Sequence, residues 1–170
     1  MARSDSFFIR ATTTIDAAAP TDFQQVAIDL GSYVNVLSKD ILRLHNIQVE
    51  YGLPGENVDS VTMGANAQNE LAFQLTTQSQ TDLVSLANRS VVSSGALKVT
   101  TDNSTAVVVM DDTMNASIQE WTNGYLIAVE SMFLGIRQGN PLLSQVSIIL
   151  ECTSETMSQA AAMALSLSQQ

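Results

Sequence analysis

Several stretches of this chain alternate apolar and polar residues with period two, the spacing that brings every second side chain to one face of a β-strand. No other feature restricts the fold as much. Leu71, Phe73, Leu75 and Thr77 against Gln74, Thr76 and Gln78 predict a half-buried strand. Val26, Ile28 and Leu30 alternate with Gln25, Ala27 and Asp29, and the pattern continues past Gly31 to Val34 and Val36. Leu42 and Leu44 share a face, after which the apolar phase slips to Ile47, Val49 and Tyr51. A slip of one residue flips a strand's face, so a bulge or sharp bend is expected near His45-Asn46. Val146, Ile148, Leu150 and Cys152 form a further core strand, broken only by Ile149.

The run 125–136 is apolar on both faces and predicts a mid-sheet strand with cover on both sides. Shorter strands are expected at 7–15, 58–63, 96–100 and 106–110. Turn signals separate them at Tyr51-Gly52-Leu53-Pro54-Gly55, Asp102-Asn103, Asn123-Gly124 and Gly139-Asn140-Pro141. Two helices are expected. A short internal one covers 81–88, capped by Ser79 or Thr81 and packing Leu83, Val84 and Leu86. A C-terminal one covers about 154–168, starting near Thr153-Ser154-Glu155, with Met157, Ala161, Ala164 and Leu165 on one face. That face either closes the domain or docks on a neighbouring subunit. Many short strands with few helices give an all-β, antiparallel sandwich or barrel, and residues 1–170 contain no repeat or linker that divides them.

Only 14% of residues are charged, against about 25% in typical chains. Ser, Thr, Asn and Gln, at 19, 15, 10 and 13 residues, must therefore keep the surface wet. Neutral polar groups lose less than ions on leaving water, so such a surface suits repeated burial against neighbours as well as an ordinary Ser/Thr-rich exterior. The formal charge is −10, and Lys39, Lys98 and five arginines are spread singly. Phosphate neutralisation needs clustered cations, so no direct sequence-specific nucleic-acid binding is expected. No run is apolar enough for a signal peptide or a membrane span, which predicts a soluble cytosolic product. The glycosylation-type triplets at Asn88, Asn103 and Asn115 are expected to be accidental.

Chemistry-bearing residues are few. One cysteine, Cys152, and one histidine, His45, exclude an intramolecular disulfide and the Cys/His spacings of zinc, haem and iron–sulfur sites. His45 sits in a strand with no glycine-framed nucleophile near it, and Gly64-Ala65-Asn66 is a lone glycine turn rather than a phosphate loop. Asp111-Asp112, joined by Asp102 or Glu120, offers hard oxygens to calcium, although most such pairs are solvated turns. The expectation is no enzyme, no catalytic residue, no cofactor and no metal.

The strand pattern resembles that of single jelly-roll major capsid proteins of small tailless icosahedral viruses. The phrases Ile28-Asp29-Leu30-Gly31-Ser32-Tyr33-Val34-Asn35, Leu42-Arg43-Leu44-His45-Asn46-Ile47-Gln48-Val49 and Trp121-Thr122-Asn123-Gly124-Tyr125-Leu126 carry it, with the Ala/Ser/Gln-rich C-terminal segment. The resemblance implies an eight-stranded jelly-roll sandwich that self-assembles into capsomers and an icosahedral shell, located in the virion after assembly in the host cytoplasm. Minor capsid or vertex proteins are further implied partners. Many relatives that enclose RNA carry a basic arm, whereas only Arg3 and Arg10 are positive in the first twenty residues here. That departure implies a genome held by another protein or beneath an internal membrane. Two other readings compete: a carbohydrate-binding or adhesive β-sandwich with a ligand near Asp111, Asp112, Trp121 and Tyr125, and a minor phage structural protein of decoration or tail type.

Overall fold

The computed structural model describes residues 5–15, 22–52, 68–101, 108–114, 120–139 and 144–170. The expected strand at 58–63, Gly64, Asp102-Asn103 and the prolines of two turn signals, Pro54 and Pro141, lie outside them. Among the described residues nine strands and one helix follow in chain order: β1 (Phe7–Ile15), β2 (Phe23–Asp29), β3 (Asp40–Gly52), β4 (Gln68–Thr76), β5 (Val91–Thr101), β6 (Val108–Met114), β7 (Glu120–Ile127), β8 (Ser131–Gln138), β9 (Ser144–Thr156) and α1 (Gln159–Ser168).

The strands form two antiparallel sheets, ordered β1-β9-β3-β7 and β2-β8-β4-β5-β6. With β6 set aside, the pairings nest: β1 with β9, β2 with β8, β3 with β7 and β4 with β5. First meets last and each inner pair lies inside the one before, as in a long hairpin. Rolling that hairpin up adds the contacts β3 with β9 and β4 with β8. This is the all-β jelly-roll sandwich, and β6 extends its second sheet as a ninth strand on the far side of β5.

The core lies between the sheets. Leu42, Leu44, Ile47, Val146, Ile148 and Leu150 of the first sheet meet Leu71, Phe73, Leu75, Met132, Leu134 and Ile136 of the second, all buried. Each such side chain contributes roughly 1.5–3 kcal/mol on leaving water. The expected slip in β3 is present: its register against both β7 and β9 shifts between Leu44 and Asn46. His45 is the extra residue that keeps Leu44 and Ile47 both facing inward.

Five expectations differ from the structure. The run 125–136 is not one strand but β7 and β8, in different sheets, joined through Ala128-Val129-Glu130. Ala128 and Val129 are themselves buried, so no polar cluster marks the turn; the Glu130 carbonyl accepts the Leu30 N–H at 2.8 Å. The second alternating run stops at Asp29, and Leu30 and Val34 are buried in a turn whose Tyr33 and Val34 N–H groups both donate to the Leu30 carbonyl. No helix forms at 81–88. The Gln74 carboxamide takes both backbone groups of Val84, donating to its carbonyl at 2.7 Å and accepting its N–H at 2.9 Å, and so removes them from any helical ladder. The same contact covers β4 on its outward side, so Gln74 and Thr76 are as buried as Leu75 and the strand is not half-exposed.

The C-terminal helix begins at Gln159 rather than near residue 154. β9 continues to pair with β3 as far as Asp40 opposite Thr156, and Ser158 caps the helix by accepting the Ala161 N–H. Met157 thus precedes the helix, Ala164 is exposed, and Ala162 is the fully buried contact. Ala162 packs with Ile41 and Ala128, and Val36, Leu126, Met157 and Leu165 surround them. The helix therefore closes one end of its own sandwich.

Candidate interaction surfaces

The β3 bulge gathers a set of polar side chains. His45 Nε2 lies 3.0 Å from the Thr153 hydroxyl, and the Asn46 amide donates to Glu151. One register step away, Arg43 Nε donates to Glu155 at 3.0 Å while Nη1 donates to the Asn123 carbonyl. Glu155 is 6% exposed, so the pair is largely shielded from water. Gly124 follows Asn123 with φ +72°, and a Cβ there would come within 2.5 Å of Arg43 Cγ. Glycine is needed at this point for both conformation and space. Sequence reasoning missed the pair because Glu155 reads as a first-turn helix residue, and Thr153-Ser154-Glu155-Thr156 carries no apolar alternation that would extend β9.

His45 is thus held by a local hydrogen bond at the bulge. Cys152 is buried in the core, and burial, followed by the neighbouring Glu151 charge, pushes its thiol up to about 12. Asp111 and Asp112 lie on β6, opposite Val99 and Lys98, whereas Glu120 starts β7 in the other sheet. Asp102 lies outside the described residues, among which no three His, Cys, Asp or Glu residues gather as metal ligands. Trp121 and Tyr125 do come together, with ring centroids 5.8 Å apart, and both pack partly against the core.

The α1 end of the sandwich is held by amides rather than ions. The Gln169 carboxamide accepts the Ala128 N–H at 2.9 Å and donates to the Leu126 carbonyl at 2.7 Å, while its own carbonyl accepts from Thr77 Oγ1 at 2.8 Å. Arg89 donates to the Gln170 carbonyl at 2.6 Å. Met163 and Leu167, four residues apart and so on one helical face, remain exposed at 47% and 67%. No helix among the described residues is long and apolar enough to cross a membrane.

The outward face of β1, β9 and β3 is a regular, mostly polar grid. Rows across the three strands read Phe8, Glu151, Asn46; then Arg10, Ile149, Gln48; then Thr12, Ser147, Glu50. The intervening rows, such as Ile9, Leu150, Ile47, point into the core.

No family model matches this chain, and no curated protein matches it. Among solved structures it is similar to a chain of Desmodium yellow mottle tymovirus, with 10% identity over 91% of this chain and 90% of that one and a TM-score of 0.29. The jelly-roll order itself is read from the nested strand pairing.

Proposed function

We propose that this chain is a structural subunit of a viral shell, a single jelly-roll capsid protein that self-assembles into an icosahedral particle. The nested order of eight strands is the observation that carries the reading, since it is the fold implied by the strand pattern of such subunits. Folds host many functions. Two further features therefore weigh here: the chain is sparse in charge, and Thr12, Thr14 and Gln48 on exposed strand faces present neutral polar groups that neighbours can cover at low desolvation cost. In this reading the protein acts in the virion, with copies of itself as principal partners and minor capsid or vertex proteins as others. The genome is held by another protein or beneath an internal membrane, because a chain of charge −10 with scattered cations has no means of neutralising a phosphate backbone.

The chain is, in the same proposal, not an enzyme. His45 and Cys152 lie on opposite sides of the β3–β9 ladder, one tied to Thr153 and the other facing the core. Sedimentation velocity over a wide concentration range tests the assembly claim. Growth from small capsomers to one large, uniform species is expected; a single monomeric species throughout would sink the idea.

A further inference from the structure

The outward grid on β1, β9 and β3 contains a shallow trough of about 350 Å³. That volume is in the range of small-molecule sites. Its walls are strands rather than loops. Spacings of about 4.8 Å between strands and about 7 Å between alternate residues hold its side chains on a fixed lattice. Ile149, half-buried, forms an apolar floor between Arg10 and Gln48, and Glu50 stands one row further along the same edge as Gln48. Thr12 and Ser147 bring their hydroxyl oxygens to 3.0 Å, and Gln145 donates to Ser147 Oγ at 3.2 Å, so these hydroxyls are already oriented. Phe8, 52% exposed on the same face, holds the Arg10 guanidinium carbon 5.9 Å from its ring centroid.

We propose that this trough is a binding site for a neutral saccharide. A pyranose ring presents an apolar C–H face and a rim of hydroxyls that both donate and accept. Ile149 matches the face. The guanidinium, carboxamide and carboxylate of Arg10, Gln48 and Glu50 are planar groups able to bridge adjacent hydroxyls, and between them they supply donors and acceptors. The trough holds one cation and one carboxylate in a chain of net charge −10, so an acidic sugar gains no net attraction there. The trough alone is too small to seat a second copy of the chain. Three strands over the length from Phe8 to Thr14 span on the order of 350 Å² in plan by these spacings. A standard protein interface takes about 800 Å² from each partner, so contacts between copies on this face would lie beyond the trough. The site is separate from the Trp121–Tyr125 pair on β7 and does not depend on whether the chain forms a shell.

Two-dimensional NMR of the labelled full chain, recorded below the concentration at which sedimentation shows growth, tests it, titrated in turn with the methyl glycosides of glucose, galactose and mannose, with N-acetylglucosamine, and with N-acetylneuraminic acid as an acidic probe. At least one neutral sugar should shift the amides of Arg10, Thr12, Gln48, Ser147 and Ile149 together and saturably. Arg10→Ala and the near-isosteric Glu50→Gln should each weaken that binding by about tenfold, while the remaining spectrum stays as in the parent. Saturable shifts from none of the neutral probes, shifts from the acidic probe alone, or shifts centred on Trp121 and Tyr125 would each overturn the assignment.

Discussion

The outer faces of the two sheets are built from the same kinds of residue yet end in different states. On the second sheet, Gln74 faces outward from β4 but is 4% exposed, because the 77–90 segment folds over it. Gln25 of β2 holds the same segment, accepting the Gln80 N–H and donating to Ser79 Oγ, both at 2.9 Å. The Phe23 ring lies so close over Gly135 that a Cβ there would meet it at 2.8 Å. On the first sheet, Thr12, Gln48 and Glu50 stay exposed, and among the described residues cover lies at the Arg43–Glu155 end. Glutamine is therefore not simply a surface residue in this chain. Its carboxamide pairs with a backbone N–H and C=O at once and stands in for a missing strand, at less desolvation cost than an ion.

Removing single groups should reproduce this contrast. The largest effect is expected at the covered end of the first face. Glu155→Ala leaves Arg43 uncompensated where little water reaches it, and should cost about 3–5 kcal/mol in denaturant unfolding. Next comes Gln74→Ala, which strips Val84 of both backbone partners and should cost about 1–3 kcal/mol. Faster hydrogen exchange at Val84 would identify the loosened segment as the source. Gln169→Ala should lose roughly 1–2 kcal/mol, and at about 2–4 °C per kcal/mol for a chain of this size the drop in Tm is readable. Deleting residues 158–170 should lower Tm further, because Ile41 and Ala128 lose their cover.

Much of this was legible in the sequence and some was not, for physical reasons. Period-two alternation located the core face of β9 and the bulge at His45, because side-chain direction in a strand is fixed by the backbone, and the shorter candidate at 7–15 coincides with β1. The turn between β7 and β8 was hidden because its residues are buried and apolar, so burial overrode the usual polar signature. The 81–88 segment had helical spacing, but a side chain far away in the pattern, Gln74, claimed its backbone. The saccharide trough was invisible for a related reason. Arg10, Gln48 and Ser147 are far apart in the chain and meet only through the β1-β9-β3 register.

Smaller effects sharpen the contrast. The Cys152 thiol is pushed up from 9.0 to about 12, so the folded protein favours the protonated form. Its contribution to stability is complete below the unfolded value and is lost as pH rises from 9.0 towards about 12. Cys152→Ser, read in unfolding scans across that range, should flatten the decline, and native Cys152 should resist alkylation at pH 8 until the protein is unfolded. The smallest effect belongs to the open face, where Gln48→Ala should change stability by no more than about 0.5 kcal/mol.

The central claim is that a jelly-roll subunit with this surface closes into a shell, and negative-stain electron microscopy of the concentrated full-length chain tests it most directly. Closed, uniform particles are expected, or rings of capsomers at lower concentration, and the Glu155→Ala variant should lose them to the extent that it unfolds. Dispersed single subunits at every concentration, from protein shown by circular dichroism to be folded, would contradict it.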